Sequence, residues 1–195
     1  VGAAPGGVGK SVNGGQTWRA VFDDQPVSAI ASIVIDQADP SIVWVGIGEG
    51  NGTGDPAAVP GVYQSLDGGE SWAAGGLLGI EGVHRILLHP SIPEIVYAGV
   101  SGLKWEDGGG RGVYKTTDGG QTWTRVLFVD ERTGVSDLVM DPSDPDRLLA
   151  AMWSTRRYPW SVEPRGPGSG LLLTRDGGES WIRLGEEDGL PAGDL

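Results

Sequence analysis

The segment 116–123 reads TTDGGQTW, and three other segments of the chain repeat its pattern. The copies share Ser or Thr at the first position, Asp or Asn at the third, two glycines, a second Ser or Thr, and a closing Trp. They read SVNGGQTW (11–18), SLDGGESW (65–72) and TRDGGESW (174–181). Their third positions are Asn13, Asp67, Asp118 and Asp176, so the copies recur every 51 to 58 residues. A period of this length indicates a repeat architecture.

The repeated motif has the residues of a tight turn between two strands. An Asp or Asn side chain accepts hydrogen bonds from nearby backbone N–H groups, and glycine adopts positive φ without steric cost. Four near-identical copies would point in four directions, so we interpret them as structural and expect each Trp to be buried beside its own Gly-Gly turn. The residues given this role are Asn13, Trp18, Asp67, Trp72, Asp118, Trp123, Asp176 and Trp181.

Strand candidates fill the sequence between the motifs. Around the third copy they read VHRILLH (83–89), EIVYAGVS (94–101), GVYKTT (112–117) and TWTRVLF (122–128). Short runs rich in Val and Ile, bounded by Gly and Pro, are typical of strands, and no segment predicts a helix. Four antiparallel strands per repeat of about 50 residues predict an all-β fold, the β-propeller. The predicted blades of this single domain, 1–195, are 1–23 (strands B, C and D only), 28–76, 82–128 and 134–185.

The motif is the Asp-box, or BNR repeat, and longer segments extend the likeness. These are IVWVGIGEGNG (42–52), RGVYKTTDGGQTW (111–123), TGVSDLVMDPSDPDRLLAAMW (133–153) and PGSGLLLTRDGGESW (167–181). With them the chain resembles large bacterial BNR-repeat proteins with sortilin/VPS10-like propellers, which are often named glycosyl hydrolases by homology. The resemblance implies a β-propeller and an extracytoplasmic or secreted protein. It implies no single activity, because Asp-boxes occur in sialidases, xyloglucanases, sortilins and photosystem assembly factors.

The chain also departs from the families that it resembles. It has no F/Y-R-I-P motif, so a sialidase site is not carried over. Asn13 replaces the usual Asp of the first box, and because Asn can accept the same hydrogen bonds we expect a small effect. Gly9 stands where an aromatic residue is common, which removes a packing group.

Composition excludes several classes of partner. The net charge is −12, which disfavours nucleic acid and anionic lipid as ligands. No apolar run approaches the length of a membrane span, and the absence of cysteine excludes disulfides and thiol catalysis.

Counting strands gives three full blades and three strands of a fourth. A closed ring removes sheet edges, and this chain is expected to stop short of closure. Three arrangements remain open: part of a longer propeller, a four-bladed ring, or a half-ring that dimerises. We favour part of a larger ring, with the remaining blades or a second copy as partner.

Binding is expected on the B–C loops, which are long and unlike one another: 49–60, 102–111 and 154–169. Individual loops on a rigid repeat scaffold are where binding usually evolves. Aromatic faces stack on sugars or side chains, and arginine supplies forked donors. The predicted ligand-binding residues are Trp105, Arg156, Arg157, Tyr158 and Trp160. The alternative is that the aromatic residues only hold their own loops against the blades.

Catalytic and metal sites are less defined by the sequence. Glu49 and Glu106 are the candidates for an acid/base pair, which a glycosidase places across the bond it cleaves. Glu49, Asn51 and Asp55 could ligate calcium but lack the EF-hand spacing, so we predict no metal and no cofactor, with calcium as the alternative.

These observations lead to a functional prediction with two alternatives. The first is a non-catalytic propeller that binds protein, peptide or glycan through its B–C loop face. The second is a glycoside-hydrolase-like enzyme whose acid and base are shared with blades outside this chain. The third is a structural or assembly module.

Overall fold

The apolar segments of the sequence form seventeen short strands in the part of the chain that the structure describes. The computed structural model describes residues 1–3, 6–48, 61–80 and 82–191. The first eight strands are β1 (Gly2–Ala3), β2 (Gly7–Lys10), β3 (Arg19–Ala20), β4 (Ile30–Ile35), β5 (Val43–Ile47), β6 (Val62–Ser65), β7 (Ala73–Ala74) and β8 (Val83–Leu88). The others are β9 (Val96–Val100), β10 (Gly112–Thr116), β11 (Thr124–Leu127), β12 (Thr133–Asp141), β13 (Asp144–Ser154), β14 (Arg156–Tyr158), β15 (Ser161–Glu163), β16 (Gly170–Thr174) and β17 (Ile182–Arg183).

These strands pair into four antiparallel sheets and one hairpin. Blade 1 is β1-β2-β3, blade 2 is β4-β5-β6-β7, blade 3 is β8-β9-β10-β11, and blade 4 is β12-β13-β16-β17. The hairpin β14-β15 lies between the second and third strands of blade 4. The all-β fold of four-stranded blades is therefore confirmed, and blade 1 has only its B, C and D strands among the described residues.

Apolar clusters between consecutive blades form the core. Blade 1 contributes Val8 and Phe22 to the first cluster, where they meet Tyr63 of blade 2. The second cluster is centred on Trp44, which is fully buried between blades 2 and 3. The third joins blades 3 and 4 around Tyr97. Because the blades pack face to face in chain order, each blade has one flank toward the preceding blade and one toward the next.

The Asp-box turn and the A–B turn lie at the same end of the blade in blades 2, 3 and 4. The first glycine of a box donates its N–H to a carbonyl of the A–B turn: Gly68 to Ser41 at 2.8 Å, and Gly119 to Glu94 at 3.0 Å. Gly177 makes the equivalent bond to Asp146 in blade 4. This end is occupied by short, repeated turns, so the B–C loops occupy the opposite end.

Within each box the third side chain closes the turn. Asp118 Oδ1 accepts hydrogen bonds from the Thr116 hydroxyl at 2.7 Å and the Thr122 N–H at 2.9 Å, while Oδ2 accepts from the Thr122 hydroxyl at 2.6 Å. These donors lower the pKa of Asp118 to about 2. Asn13 builds the same turn with its amide, which accepts from the Thr17 N–H and donates to the Thr17 hydroxyl at 2.9 Å.

The box tryptophans bind the preceding blade as well as their own turn. Trp72 Nε1 donates to the Val21 carbonyl of blade 1 at 2.7 Å, and Trp123 Nε1 donates to the Gly75 carbonyl of blade 2 at 2.9 Å. Both rings are half-buried. The expectation of burial is wrong for Trp18, which is 54% exposed and has no preceding blade against it among the described residues.

Trp181 breaks this pattern because blade 3 contains a β-bulge. Val113 pairs with Leu127 while Tyr114 pairs with Arg125, so Val126 is an extra residue in β11. Val126 stands three residues after its box tryptophan, as Val21 and Gly75 do, but in the bulged strand it accepts no hydrogen bond from the next box tryptophan. Trp181 Nε1 is consequently buried without a hydrogen-bond partner among the described residues.

Helical structure is nearly absent from the described residues. The single helical element there is a 3₁₀ turn, Glu186–Asp188. No helix in this part of the chain has the length and apolar character needed to cross a membrane.

Candidate functional site

The loops of blades 3 and 4 meet at the end of the sheets opposite the Asp-boxes. We call this surface the B–C face and define it by loop 102–111, linker 128–132 and segment 154–169. The first B–C loop, 49–60, lies outside the described residues, and with it Glu49, Asn51 and Asp55. The acid/base role of Glu49 and the calcium alternative therefore stay predictions.

A buried arginine holds loop 102–111 in place. Arg111 is 1% exposed, and its guanidinium donates hydrogen bonds to the carbonyls of Ser101 (2.5 Å), Leu103 and Glu106 (3.0 Å). Burial lowers the pKa of Arg111. Because these bonds fix the loop backbone, the neighbouring side chains Trp105 and Glu106 are held at the surface, where both are exposed.

Segment 154–169 of blade 4, which the sequence predicts to be a loop, contains the hairpin β14-β15. Its strands pair Arg156 with Glu163, and its tip stacks Tyr158 on Trp160 with ring centroids 5.8 Å apart and planes at 19°. Trp160 is 81% exposed, so its ring stands out from the blades. The Arg156 guanidinium lies 5.4 Å from the Tyr158 ring centroid, within the distance of a cation–π contact.

Hydrogen bonds and ion pairs join the two loops into one surface. The Arg157 N–H donates to the Lys104 carbonyl at 2.7 Å, and the Arg157 guanidinium lies 5.1 Å from the ring centroid of Trp105. Asp107 lies 3.4 Å from Arg156 Nη1 and 3.7 Å from Arg132 Nε. All five predicted ligand-binding residues are thus brought together: Trp105, Arg156, Arg157, Tyr158 and Trp160.

Arg132 joins the linker 128–132 to the hairpin β14-β15 through an ion pair. Its Nη2 donates to Glu163 Oε2 at 2.5 Å, and this carboxylate raises the pKa of Arg132. Arg132 also pairs with Asp107, as described above. Asp107 and Glu163 therefore both form ion pairs with Arg132.

A cavity of about 140 Å³ opens between blades 3 and 4 at the foot of this surface. Trp153 lines it, is 37% exposed, and donates its Nε1 hydrogen to the Pro164 carbonyl at 2.6 Å. Lys104 Nζ lies 4.7 Å from the Trp153 ring centroid. The sequence predicts Trp153 in a strand and gives no sign of its exposure at the B–C face. The one available signal was its position at the end of strand B, next to the long loop 154–169.

The remaining titratable candidates do not form a recognisable catalytic set. Glu106 is exposed, and Glu49 lies outside the described residues. Across residues 1–3, 6–48, 61–80 and 82–191, no three His, Asp or Glu side chains are grouped so as to hold a metal ion. His89 serves the A–B turn, where its Nδ1 accepts from the Ser91 and Ile92 N–H groups, while His84 Nε2 lies 3.3 Å from the Ser101 hydroxyl near the B–C face.

Comparison with known proteins identifies the repeat and its relatives. The family model of the BNR/Asp-box repeat matches residues 114–125. Over 93% of its length the chain is 26% identical to a xyloglucanase of Paenibacillus sp and 28% identical to an oligoxyloglucan-reducing end-specific xyloglucanase of Emericella nidulans. The chain spans 15% and 25% of the lengths of these two relatives.

Solved structures support the same fold. An ancestral GH74 enzyme and the GH74 xyloglucanase from Xanthomonas campestris each align with a TM-score of 0.69 over 96% of this chain, at 18% and 16% identity. The alignments cover 22% and 28% of those chains. At such identities the likeness concerns the fold.

These comparisons correct two expectations. The finer likeness to sortilin/VPS10-like propellers is not supported, because the relatives and neighbours are xyloglucanases and GH74 enzymes. For the same reason the prediction of a non-catalytic binding module is wrong, and the glycoside-hydrolase alternative is better supported. The four sheets and four boxes nevertheless identify the architecture: the chain is part of a β-propeller built from BNR/Asp-box repeats.

Proposed function

We propose that this chain is part of a glycoside hydrolase-like propeller that acts on a xyloglucan-type polysaccharide, and that its B–C face binds the sugar chain. The observation that carries the proposal is the exposed aromatic surface of Trp105, Trp153 and Trp160, in a chain whose relatives over 93% of its length are xyloglucanases. The charge supports a neutral ligand, because a net charge of −12 repels anionic polysaccharides.

The aromatic rings offer the shape that a sugar chain needs. A pyranose ring has an apolar C–H face that packs on a flat aromatic side chain, and its hydroxyl groups need donors and acceptors at the rim. Trp160 presents a stacked, largely exposed ring, and the guanidinium groups of Arg156 and Arg157 lie beside the aromatic groups. Because Tyr158 is stacked on Trp160, part of the freedom of the Trp160 ring is already restricted before a sugar binds, which reduces the entropy lost on binding.

The acid and base of such an enzyme require two carboxyl groups roughly 5–10 Å apart across the scissile bond. Asp107 and Glu163 form ion pairs with arginines, whereas Glu106, an exposed carboxylate of loop 102–111, forms none among the described residues. We propose that the catalytic pair is completed from outside the described residues, either by Glu49 or by further blades. A polysaccharide is too large to diffuse across a membrane, so the proposed substrate also favours an extracytoplasmic location.

Affinity electrophoresis in gels that contain xyloglucan tests the binding role. The parent chain should be retarded relative to a gel without polysaccharide. Trp160→Ala should lose most of the retardation, with a fall in affinity of about tenfold or more, as for removal of a central aromatic anchor.

Leu66→Ala is the matched control, because Leu66 is a 67% exposed apolar residue on an Asp-box turn at the opposite end of the blade. Its retardation should equal that of the parent. Equal retardation of the Trp160 variant and the parent would place binding elsewhere, and no retardation of the parent at any xyloglucan concentration would contradict the proposed substrate.

A further inference from the structure

The small cavity between blades 3 and 4 lies next to the aromatic residues of the B–C face. Its volume is about 140 Å³, and we call it the interblade cavity. Both blades contribute to its lining: His84, Ser101 and Lys104 of blade 3, and Ser136, Trp153 and Thr155 of blade 4. Gly134, which also lines it, lets the two blades approach closely here, because a side chain at this position would collide with the Ser101 backbone.

The hydroxyl groups of the interblade cavity have already used their hydrogens. Ser136 and Thr155 donate to backbone carbonyls at 3.0 Å and 3.2 Å, and Ser101 donates to the carbonyl of the next residue at 3.1 Å. A hydroxyl group has one hydrogen and two acceptor lone pairs, so each of these oxygens keeps acceptor capacity. A ligand that satisfies them must bring O–H or N–H donors of its own.

Trp153 gives the interblade cavity an apolar wall. Its indole N–H is used by the Pro164 carbonyl at 2.6 Å, so what the side chain offers to a ligand is its ring, which is 37% exposed. The ammonium group of Lys104 lies 4.7 Å from the ring centroid and adds hydrogen-bond donors beside it. An aromatic ring next to hydroxyl acceptors and an ammonium donor suits a sugar, which has both an apolar C–H face and hydroxyl groups.

The same lining disfavours charged ligands. An oxyanion without O–H or N–H groups leaves the hydroxyl oxygens without donors, and the buried guanidinium of Arg111 already donates to three backbone carbonyls. A cationic ligand would find no counter-charge, because no Asp or Glu is among the described residues that line the cavity. The chemistry of the interblade cavity therefore favours a neutral, hydroxyl-rich group.

The volume of the interblade cavity limits the occupant to one ring. A cavity of about 150 Å³ holds one benzene ring, so about 140 Å³ provides room for a single six-membered ring. A polysaccharide backbone cannot enter such a space. A single pyranose that branches from the backbone can, and one without an exocyclic hydroxymethyl group, such as xylose, fits best.

The interblade cavity is directly connected to the surface proposed to bind the backbone. Lys104 precedes Trp105 in the chain, and Thr155 precedes Arg156. The Lys104 carbonyl also accepts the Arg157 N–H at 2.7 Å, which holds the cavity lining against the hairpin β14-β15. A backbone that lies on the exposed aromatic residues would thus place its branches next to the opening of the cavity.

We propose that the interblade cavity is a specificity subsite for a single xylose branch of the polysaccharide. This inference rests on the proposed function, in which the B–C face binds the backbone. The branch packs on Trp153 and donates its hydroxyl hydrogens to Ser101, Ser136 and Thr155. The cavity thereby distinguishes a branched glucan from an unbranched one, which can contact only the aromatic surface outside.

Isothermal titration calorimetry with two ligands tests the proposal: a xylose-branched gluco-oligosaccharide and an unbranched cello-oligosaccharide of the same backbone length. The parent chain should bind the branched ligand about tenfold more tightly or better, as expected for two or three additional hydrogen bonds. Ser136→Ala should weaken binding of the branched ligand by about two- to tenfold, the value of one hydrogen bond. Binding of the unbranched ligand should not change.

Ser136→Leu blocks the interblade cavity and should abolish the preference for the branched ligand while leaving the affinity for the unbranched one unchanged. Ser136 is exposed on β12, and circular dichroism checks that the variant folds. Ser91→Leu is the matched control, because Ser91 is also exposed but lies on the A–B turn of blade 3 at the opposite end. Its preference should equal that of the parent.

The outcomes separate this inference from the proposed function. Equal affinities of the parent for the two ligands would overturn the branch subsite and leave glycan binding by the B–C face intact. A Ser136→Leu variant that keeps the preference, or that loses affinity for both ligands equally, would also overturn it. If that variant does not fold, an unchanged preference in Ser136→Ala overturns the proposal instead. Binding of neither ligand by the parent would contradict the proposed function and this inference with it.

Discussion

Replacing Trp123 and Trp181 by phenylalanine should have opposite effects, although the two residues occupy the same position of the repeat. Trp123 Nε1 donates to the buried Gly75 carbonyl at 2.9 Å, and its ring meets Trp44 edge to face at 6.3 Å. Trp181 Nε1 is buried but has no acceptor among the described residues, and the preceding blade carries a bulge at Val126, the position equivalent to Gly75. Comparing the two variants therefore separates the contribution of the hydrogen bond to stability from the contribution of ring packing.

The magnitudes follow from these contacts. Trp123→Phe removes one hydrogen bond and leaves the Gly75 carbonyl unpaired, which costs about 1–3 kcal/mol. The smaller ring loses about 1 kcal/mol of apolar burial. Trp181→Phe loses the same burial but also removes an unpaired buried donor, which returns about 1–3 kcal/mol. We expect the free energy of unfolding to fall by about 2–4 kcal/mol in the Trp123 variant and to change by no more than about 1 kcal/mol in the Trp181 variant.

Urea unfolding at one fixed protein concentration measures both changes, since association would otherwise shift the midpoint. The Trp123 variant should unfold at a clearly lower urea concentration than the Trp181 variant. Equal midpoints for the two variants would refute the role given to the hydrogen bond between blades.

Three further predictions concern the boxes and the B–C face. Asp118→Ala should lower the free energy of unfolding measurably, because the turn N–H and hydroxyl donors lose their acceptor. Asp118→Asn should lower it less, because Asn13 already closes a box with its amide, and equal losses in urea unfolding would contradict this. Stability should fall as pH drops from about 4 toward 2, because the folded pKa values of Asp118 and Asp176, both about 2, lie below the unfolded value near 3.9. The stabilisation by the ionised boxes is complete above the unfolded value and is lost progressively between the two values, so a flat acid profile would count against the turn hydrogen bonds. Arg111→Leu should make loop 102–111 a site of rapid proteolysis, because three carbonyls lose their donor, and unchanged cleavage kinetics would show that the loop is held by other groups.

The fold could be predicted because the box is a local structure. The Asx side chain, the Gly-Gly pair and the hydroxyl groups that close each turn lie within eight residues, so the sequence contains the whole set of interactions. The strands around each box follow from apolar segments of limited length. The departure at Asn13 was also predictable, since an amide accepts the same hydrogen bonds.

Interactions between blades could not be read in the same way. The bonds from Trp72 to Val21 and from Trp123 to Gly75 join residues 51 and 48 positions apart, and the bulge that removes the third bond depends on one extra residue in β11. Trp18 was expected to be buried because its box matches the others, but burial is supplied by a neighbouring blade.

The candidate site was predicted in part. The sequence indicated the B–C loops and their aromatic and arginine residues, because long individual loops interrupt an otherwise regular repeat. It did not predict the hairpin β14-β15, whose strands are only three residues long, or the exposure of Trp153. The function was predicted wrongly because Asp-boxes are shared by enzymes and binding proteins alike, so the motif does not discriminate between them.

Titration of the chain with a xyloglucan oligosaccharide, followed through the indole N–H resonances in a ¹⁵N-correlated NMR spectrum, tests the proposed glycan-binding face most directly. The chain has eight tryptophans, and substitution of single residues assigns their signals. Saturable shifts should be confined to Trp105, Trp153 and Trp160, while Trp44 and the four box tryptophans stay unchanged. Shifts confined to the box tryptophans, or no shift at any indole up to saturating oligosaccharide, would contradict the assignment of the B–C face as the sugar-binding surface.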